Sequence, residues 1–572
     1  MKKCPQCGRE YDNSMMFCLD DGAELLYGPA SMDATAILSE PPAVAGGLTP
    51  IEEQSSEFKT AILQPPATAG GSDPIVRTGS FNKRLLMVPL LLLLVATCGF
   101  FGYRYFASDP SKQIESIAVM PFVNESGNAE VEYLSDGMTE TLISGLSKLP
   151  NLSVKARSTV FRYKGKETDT RTIGKELNVQ AVLTGRVVQR GEQLTLGLEL
   201  VDVATENVIW SQQYSRKESD LVALQSEVAR DVSNRIQSKL SGSEEARVAR
   251  SYTNDSEAYQ LYLKGRFHWN KRTPDDLAKA VEHFKAAVEK DDQFALAYSG
   301  LADTYSVMQY YIGSRSADFI AQAKPYAVRS VELDDQLAEG HTSMAFVNEG
   351  LWNWAEAEKH YERAIALNPN YGPALLRYAR FEYRMPKRDA QSLERMKRAL
   401  EVEPSSLVIN DNLSQTLLAQ GLAEDALRQA KKTVELDPRY SFGMIDLAYA
   451  QIKTGDIQNA LATADKVAEV AGRNSRSLAC AGFVNAVSGR REVGTRILKE
   501  LEDRYARNQA DAVDVAAVYV GLGETDEAFA WLDKAFADHS TLLVDVRAEF
   551  AFAALLNDNR YKDLRRRMGL AN

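Results

Sequence analysis

The sequence predicts a multidomain protein with four structured parts. These are a small cysteine-containing segment, a single transmembrane helix, an α/β domain with a mixed sheet, and an all-α solenoid of helical repeats. Three observations support this: three of the five cysteines lie in the first 18 residues, residues 85–103 carry no charge, and small residues recur every 34 or 35 positions towards the C-terminus. A chain of 572 residues has room for about three or four average domains.

Composition excludes several classes of protein. The chain has 67 basic and 78 acidic residues, a formal net charge of −11. An acidic chain gains little from contacts with phosphate backbones, so we expect no nucleic-acid partner. The 45% hydrophobic and 25% charged content is typical of folded domains and excludes disorder throughout. Five cysteines are too few for a disulfide scaffold.

The N-terminal segment, residues 1–26, carries a metal-binding spacing. Cys4-Pro-Gln-Cys7-Gly places two thiolates on one face of a tetrahedral Zn²⁺, and Cys18 adds a third. The segment resembles short bacterial zinc ribbons of pattern CPxCG…FCxxCG, with Asp21 in place of the fourth cysteine. The resemblance implies a structural Zn²⁺ with Asp21 as fourth ligand. The alternatives are Asp20 or water in that position, a redox CxxC, or a metal-free remnant.

Residues 27–82 are rich in Pro, Gly and Ala and predict a flexible linker. A short element occurs twice in it: Thr35 and Thr60 each begin Thr-Ala-Ile-Leu, followed by Pro-Pro-Ala and Gly-Gly. Thr with Leu three positions later resembles the phosphothreonine peptides chosen by forkhead-associated domains. Thr35 and Thr60 are therefore phosphosite candidates. The alternative is a simple duplication within a low-complexity spacer.

Residues 83–106 predict one membrane span. The 19 uncharged residues 85–103 would extend about 28 Å as a helix, close to the hydrocarbon thickness of a bilayer. Lys83 and Arg84 precede the span, which favours a cytoplasmic N-terminus, and thiolates persist in a reducing cytosol. We therefore expect a single-pass protein of the bacterial inner (cell) membrane, with its C-terminal domains outside the cytoplasm.

Residues 113–242 alternate strand and helix patterns and predict an α/β domain with a mixed sheet. Ser135 and Asp136 invite a catalytic interpretation, but no His or Cys occurs between residues 110 and 250. We therefore expect these two residues to cap a helix N-terminus. Strands are predicted at 116–122, 152–156, 181–189, 193–203 and 207–214, and helices at 132–149, 172–177 and 221–240.

The sequence of residues 115–240 resembles a known bacterial module, the TolB-like amino-terminal domain. The resemblance is carried by IAVMPFVNESGN, YLSDGMTETLISGLSKLPNLSVKARSTVFRYKG, IGKELNVQAVLTGRV and LELVDVATENVIWSQQY. In that family the module commonly lies between a membrane span and tetratricopeptide repeats, which is the order of segments expected here.

Residues 255–572 repeat with a period of about 34. Gly421, Gly455, Gly489 and Gly523 are each 34 residues apart. Three segments resemble the tetratricopeptide repeat: AEAEKHYERAIALNP, AEDALRQAKKTVELDP and DEAFAWLDKAFAD. The resemblance implies about eight helical hairpins stacked into a superhelix with a concave groove. The departure from the repeat after about residue 545 predicts a polar C-terminal cap, with Arg565, Arg566 and Arg567 in solvent.

The repeat register also predicts which residues face the groove. The protein-binding candidates are Arg377, Phe381, Arg384, Tyr449 and Lys453. A surface of basic and aromatic side chains suits a peptide with acidic groups. The alternative is that each residue is merely solvated or packed between helices. Five histidines, at positions 268, 283, 341, 360 and 539, show no spacing typical of a metal site.

These features together predict a membrane-anchored, non-enzymatic scaffold that binds proteins or peptides through the repeat groove. No glycine-rich phosphate loop and no kinase-type catalytic motif is visible. The alternative is a signalling adaptor, or a regulatory subunit of a kinase- or cyclase-type system, with the linker threonines as phosphothreonine docking motifs. The oligomeric state is left open.

Overall fold

The structure is a computed structural model that describes residues 2–3, 10–11, 114–149, 151–236, 241–242, 248, 250–312 and 316–570. The chain forms two compact units, residues 1–112 and 113–572. In the first, strands β1 (Lys2–Lys3) and β2 (Glu10–Tyr11) pair antiparallel. The predicted zinc ligands, the linker threonines and the predicted span at 83–106 lie outside the described residues.

None of the helices among the described residues is both long enough and apolar enough to cross a bilayer.

The α/β domain is built on a mixed sheet, as predicted. Its strands run in the order β5-β3-β6-β7-β8, and β4 also pairs with β6. The pairs of β3 with β5, β3 with β6 and β4 with β6 are parallel, whereas β6–β7 and β7–β8 are antiparallel. The strands are β3 (Ser116–Val119), β4 (Val123–Asn124), β5 (Ser153–Val154), β6 (Ala181–Arg190), β7 (Gln193–Asp202) and β8 (Val208–Lys217). The helices are Glu132–Leu146, Arg157–Val160, Thr170–Leu177 and Leu221–Ile236.

Alternating side chains produce the core of this sheet. Leu194, Leu196, Leu198 and Leu200 of β7 are buried, while the residues between them are more exposed. This is the period of two expected for a strand with one covered face. Gly185 of β6 leaves room for the ring of Phe122, since a Cβ there would lie 2.3 Å from Phe122 Cδ1.

The predicted capping role of Ser135 and Asp136 is wrong. A 3₁₀ turn, Ala129–Val131, precedes the helix, and the Asn128 side chain accepts a hydrogen bond from the Glu130 amide at its start. Ser135 and Asp136 therefore lie inside the helix rather than at its end. Asp136 is buried and pairs with Lys164 at 2.5 Å.

The described helices between residues 256 and 537 form eight consecutive pairs, called units one to eight. Short turns force the two helices of a unit back on each other, and each unit packs on the next. The pairs are Ser256–Lys271 with Pro274–Lys290, Ala295–Tyr311 with Ser316–Leu333, Ala338–Gly350 with Trp354–Leu367, Gly372–Arg384 with Asp389–Val402, Leu407–Ala419 with Ala423–Leu436, Ser441–Lys453 with Ile457–Val470, Ser475–Val487 with Arg491–Ala506, and Ala512–Leu522 with Thr525–Ala537.

The recurring glycines have a conformational role. Gly421, Gly455, Gly489 and Gly523 adopt φ values of 81°, 82°, 84° and 74° in the turn between the two helices of a unit. This left-handed conformation is unfavourable for residues with a Cβ. Lys387 stands in the corresponding turn of unit four with φ of 61° and no glycine. The left-handed turn is therefore present in unit four even though the recurring glycine is absent there.

The C-terminal segment differs from the predicted polar cap. Two 3₁₀ turns, Thr541–Asp545 and Phe550–Leu555, and the helix Asn559–Arg567 return to the earlier units. Trp354 Nε1 of unit three donates to the Met568 carbonyl at 2.7 Å. Arg565, predicted to be in solvent, is only 8% exposed and donates to the Arg384 carbonyl at 2.9 Å. Burial of the segment against these units, rather than solvation, fixes its position.

Candidate functional site

A cavity of about 1630 Å³, called the chamber below, lies where the α/β domain meets the inner surface of the repeats. Its wall includes residues of the α/β domain between 137 and 162, the first helices of units one, two and four, and residues around 403–412 and 436–442. Leu542 and Asp545 of the C-terminal segment complete it. The chamber thus combines parts of the chain more than 400 residues apart in sequence.

The charge of the chamber is opposite to that of the chain. Thirteen Lys and Arg residues line it against nine Asp and Glu residues, although the chain carries a formal net charge of −11. A concave surface with one sign of charge attracts ligands of the other sign. The basic residues are Lys148, Lys155, Arg157, Arg162, Arg250, Arg266, Lys271, Arg272, Arg377, Arg380, Arg398, Arg439 and Arg476.

Aromatic side chains accompany the charges. Many are tyrosines, which offer a flat apolar face and a hydroxyl for hydrogen bonding. Such residues suit the anchoring of peptide or small-molecule ligands. The aromatic lining residues are Phe161, Tyr252, Tyr259, Tyr262, Trp269, Tyr310, Tyr311, Phe346, Tyr371, Tyr440 and Phe442.

Glu140 joins the α/β domain to unit one. It accepts from Arg266 Nε at 2.8 Å and from Asn270 Nδ2 at 2.9 Å, and it lies 2.9 Å from Arg157 Nε. Burial alone would raise the pKa of the Glu140 carboxyl, but Arg266 and Arg157 outweigh it and hold that pKa below its ordinary value. The carboxylate stays ionised and fixes the domain on the first repeat.

A second contact joins the α/β domain to unit four. The Ser158 hydroxyl donates to Glu403 Oε2 at 3.2 Å across 245 residues of chain. Burial raises the pKa of the Glu403 carboxyl. The domain therefore touches units one and four together, and the inner surface between them becomes a wall of the chamber.

A pair of buried carboxyl groups includes Asp411, which lines the chamber. Asp411 of unit five and Asp446 of unit six are hydrogen-bonded to each other. Burial raises the pKa of Asp411 to about 6, and burial together with the charge of Asp411 raises the pKa of Asp446 further. The raised pKa values favour a proton shared between the two carboxyl groups.

The sequence-predicted groove residues are placed differently from one another. Arg377 lines the chamber, and the side chain is 13% exposed. Lys453 is exposed and lies outside the chamber wall. The expectation that Phe381, Arg384 and Tyr449 present free groove surface is wrong, since they are 0%, 2% and 3% exposed.

The burial of these three residues has specific causes. Phe381 packs between the rings of Tyr361 and Tyr378, with ring centroids 5.8 and 6.0 Å away. The other two contact the C-terminal segment. Arg384 pairs with Asp545, and Tyr449 packs on Phe550 with centroids 5.8 Å apart. The chain's own C-terminal segment thus occupies inner surface that the repeat register left open.

Sequence reasoning missed Arg272, Arg380 and Arg266, which line the chamber. Arg380 lies three residues after Arg377 on the same helix, so the spacing of the two residues could have predicted that both face the inner surface. Arg266 and Arg272 lie in and directly after the first helix of unit one. Their position in the chamber depends on the seating of the α/β domain.

The histidines form pairs in the structure. His341 Nδ1 lies 2.8 Å from His360 Nδ1, and the rings of His268 and His283 stack with centroids 5.4 Å apart. Burial lowers the pKa of His360 to about 4, with the charge of His341 adding to the effect. Among the described residues, no group of three or more His, Cys, Asp or Glu side chains is arranged to hold a metal ion.

Comparison with known proteins identifies two similarities of sequence. Residues 112–231 match the family model of the second domain of HilA/YgeH-like transcriptional regulators. A protein of Rhizobium meliloti (strain 1021) named "Putative adenylate cyclase 3" is 39% identical over 163 residues. That stretch is 28% of this chain, which spans only 28% of the relative's length. The TolB-like resemblance stays a prediction.

Solved structures of low sequence identity align with part of this chain. A thermophilic tetratricopeptide repeat protein of Thermus thermophilus is 18% identical with a TM-score of 0.30, covering 34% of this chain and 99% of its own. PilF of Pseudomonas aeruginosa is 22% identical with a TM-score of 0.30, covering 38% and 93%. The human IFIT1 dimer with m7Gppp-AAAA is 15% identical with a TM-score of 0.36, covering 55% and 77%. The eight consecutive helical pairs described above make the C-terminal region a helical solenoid.

Proposed function

We propose that this protein is a non-enzymatic scaffold that binds an acidic segment of a partner protein on the inner surface of its repeats. The observation that best supports this function is the charge of the chamber. Thirteen basic and nine acidic residues line it, although the chain as a whole is acidic. Electrostatic attraction would favour the encounter, and the aromatic lining would supply apolar contact area.

The C-terminal segment supports this type of ligand. It places the Asp545 carboxylate between Arg380 and Arg384, and it packs the Phe550 ring against Tyr449. An acidic group followed by an aromatic residue therefore complements this inner surface within the chain itself. A partner segment with the same two features would find further basic and aromatic residues along the chamber.

The anchor and the compartment are part of the proposal. Residues 83–106 hold the protein in the bacterial inner membrane as a single pass, with the N-terminus cytoplasmic and the repeats outside the cytoplasm. The support is the uncharged run of 19 residues preceded by Lys83 and Arg84. Compartment-specific reporters fused after Ser80 and after Asn572 test the orientation. Equal activity of one reporter at both positions would refute a single pass.

A structural Zn²⁺ at the N-terminus is likewise proposed, with Cys4, Cys7, Cys18 and Asp21 as ligands. The support is the thiolate spacing, which matches a tetrahedral site. Metal analysis of the purified full chain should find one zinc per molecule, lost in the Cys4→Ser variant. A chain without stoichiometric zinc, or zinc retained in that variant, would refute the site.

Binding of an acidic segment can be measured by fluorescence anisotropy on the full chain in detergent micelles. Two labelled peptides of equal length are compared, one built of Glu and Tyr and the other with Lys replacing Glu. We expect saturable binding of the acidic peptide alone. Charge reversal at Arg439, an exposed lining residue, should weaken it by about tenfold.

Lys453→Glu provides the matched control, because it reverses one exposed charge outside the chamber wall. This control should alter the affinity by less than about twofold. Equal binding of both peptides, or binding of neither, would refute the scaffold. A larger loss in Lys453→Glu than in Arg439→Glu would place the binding surface outside the chamber.

The similarity to the Rhizobium meliloti protein named as an adenylate cyclase favours a second candidate function. The chain would then act as a signalling adaptor or a regulatory subunit of a kinase- or cyclase-type system. Thr35 and Thr60 would carry phosphate and dock a phosphothreonine-binding domain. Mass spectrometry of protein purified from its own cells should find phosphate on one of them. Finding both threonines unmodified would remove this candidate.

A further inference from the structure

Arg272 is the most unusual charged residue of the chamber. It follows the first helix of unit one in a left-handed conformation, with φ of 58°. The guanidinium carbon lies 3.6 Å from the centre of the Trp269 ring. Among the described residues, the partly exposed Arg272 side chain has no carboxylate within 4 Å and no hydrogen-bond partner.

The neighbouring cations already share the nearby carboxylates. Arg266 and Arg157 both pair with Glu140. Arg377 lies 3.3 Å from Asp303, and its buried Nη1 makes no hydrogen bond. The carboxylates at this end of the chamber are therefore engaged, and Arg272 is left without one.

The electrostatic surroundings of Arg272 are unfavourable. Burial lowers the pKa of its guanidinium, and the charges of Arg266 and Arg377 lower it further, although Tyr311 and Asp303 act in the opposite direction. An arginine nevertheless stays protonated at any physiological pH, because its ordinary pKa exceeds 12. The chamber therefore holds a positive charge that has no ion pair of its own among the described residues.

Stacking on Trp269 compensates this charge only in part. A cation over an aromatic face is attracted to the ring, but the ring offers no acceptor for the guanidinium N–H groups. Such a site would be stabilised by a bound anion that accepts from the unsatisfied N–H groups. A phosphate offers more acceptor oxygens and more charge than a carboxylate, and the guanidinium fork matches its geometry.

We propose that the chamber binds a small phosphate-bearing molecule, with the phosphate held by Arg272 and Arg377. The chamber volume of about 1630 Å³ leaves room for the rest of the molecule, since ligand pockets commonly measure about 300–1,000 Å³. Tyr311 and Tyr371, which also line the chamber, offer hydroxyl groups and ring faces to it. This site does not depend on peptide binding by the repeats.

The test is isothermal titration calorimetry of the full chain in detergent micelles at about 0.15 M ionic strength, where long-range attraction is screened. Inorganic pyrophosphate is the probe, and citrate is the comparison anion with carboxylates alone. We expect pyrophosphate to bind with one site per chain and citrate to bind at least tenfold more weakly. Absence of saturable pyrophosphate binding, or equal or tighter citrate binding, would overturn the proposal.

Variants locate the site. Arg272→Gln should weaken pyrophosphate at least tenfold, and Arg272→Lys, which keeps the charge but loses the fork, at least threefold. Lys453→Gln removes an exposed charge outside the chamber and should leave affinity unchanged. Unchanged affinity in Arg272→Gln would overturn the assignment. If that variant does not fold, Arg272→Lys decides in the same way.

Thermal melting separates a binding role from a structural one. Without ligand, Arg272→Gln should melt above the wild-type chain, because it removes an uncompensated charge. With pyrophosphate the wild-type melting temperature should rise, while that of the variant should not. A variant that melts lower and still responds to pyrophosphate would show that Arg272 serves the fold alone. The anisotropy assay on the same variants reports peptide binding separately.

Discussion

Arg380 Nη2 lies 2.8 Å from Asp545 Oδ2, although 165 residues separate them in the chain. Arg384, one helical turn further on, contacts the other carboxylate oxygen of Asp545. Burial alone would raise the pKa of Asp545, but the two guanidinium groups outweigh it and lower that pKa to about 2. This contact fastens the C-terminal segment to unit four and closes part of the inner surface.

The first prediction concerns this contact. Asp545→Asn leaves the buried Arg380 without a charged partner and leaves Arg384 with Glu349 alone, so the free energy of unfolding should fall by about 3 kcal/mol. Limited proteolysis should then cut within residues 541–570 before the rest of the repeats. Asp563→Asn, which removes the partner of Arg566 on the surface, should change neither measurement. An Asp545→Asn chain as resistant as wild type would show that apolar packing alone holds the segment.

The same pair predicts an acid sensitivity. A carboxyl with a lowered pKa in the folded state stabilises the fold above its unfolded value near 4, and this contribution is lost as the pH falls towards 2. The gap in melting temperature between wild type and Asp545→Asn should therefore shrink between pH 5 and pH 2. Calorimetric scans across that range measure it. A gap that is constant with pH would contradict the ionised pair.

The second prediction concerns Asp411 and Asp446, whose pKa values are raised. A carboxyl with a raised pKa in the folded state contributes stability at low pH, and this is lost as the pH rises from about 4 through 6 and above. Asp446→Asn removes the repulsion, so the variant should melt above wild type, increasingly so from pH 5 to pH 8. The exposed Asp465→Asn is the control and should show no such trend. A melting difference without pH dependence would refute the shared proton.

The third prediction concerns the joint between the α/β domain and unit one. Glu140→Gln keeps the shape of the side chain but leaves Arg266 and Arg157 unneutralised, at a cost of about 3 kcal/mol. Hydrogen exchange should speed up in helices Glu132–Leu146 and Ser256–Lys271. Glu176→Gln, at an exposed pair with Arg162, should leave exchange unchanged. Unaltered protection in both helices would mean that packing, and not charge, makes the joint.

The fourth prediction concerns the turns of the repeats. Gly421→Ala places a Cβ at φ of 81° with nothing within 4 Å of it, so only backbone strain acts and stability should fall by about 1 kcal/mol. Lys387→Gly relieves the same backbone strain in unit four, but a glycine also gives the unfolded chain more conformational freedom. The free energy of unfolding should therefore rise by only about 0.5 kcal/mol. Chemical denaturation measures both changes. Effects of the same sign would contradict the shared turn geometry.

Local patterns predicted the elements of this protein well. The alternating leucines of β7 and the period of 34 in the repeats both indicate contacts between near neighbours in the chain. In a solenoid each hairpin packs mainly on the next, so the spacing of small residues is enough to define the fold. The helix that contains Ser135 was predicted to begin at Glu132, where it does begin, but Ser135 and Asp136 lie inside it and do not cap its N-terminus.

The groove was predicted less well, for a different reason. Register places Arg384 and Tyr449 on the inner surface, yet whether such a residue is free depends on what else reaches that surface. Asp545 and Phe550 reach it from the far end of the chain. No local period encodes such a contact.

The sequence by itself determined the eight helical pairs and the mixed sheet, because each rests on spacing between neighbouring residues. The tertiary structure alone decided the chamber. It brought Glu140 to Arg266 and Asp545 to Arg380, and it left Arg272 without a carboxylate. The physical reason is that charge pairing in a buried site depends on distances in space, and residues more than 100 positions apart in the chain supply these partners.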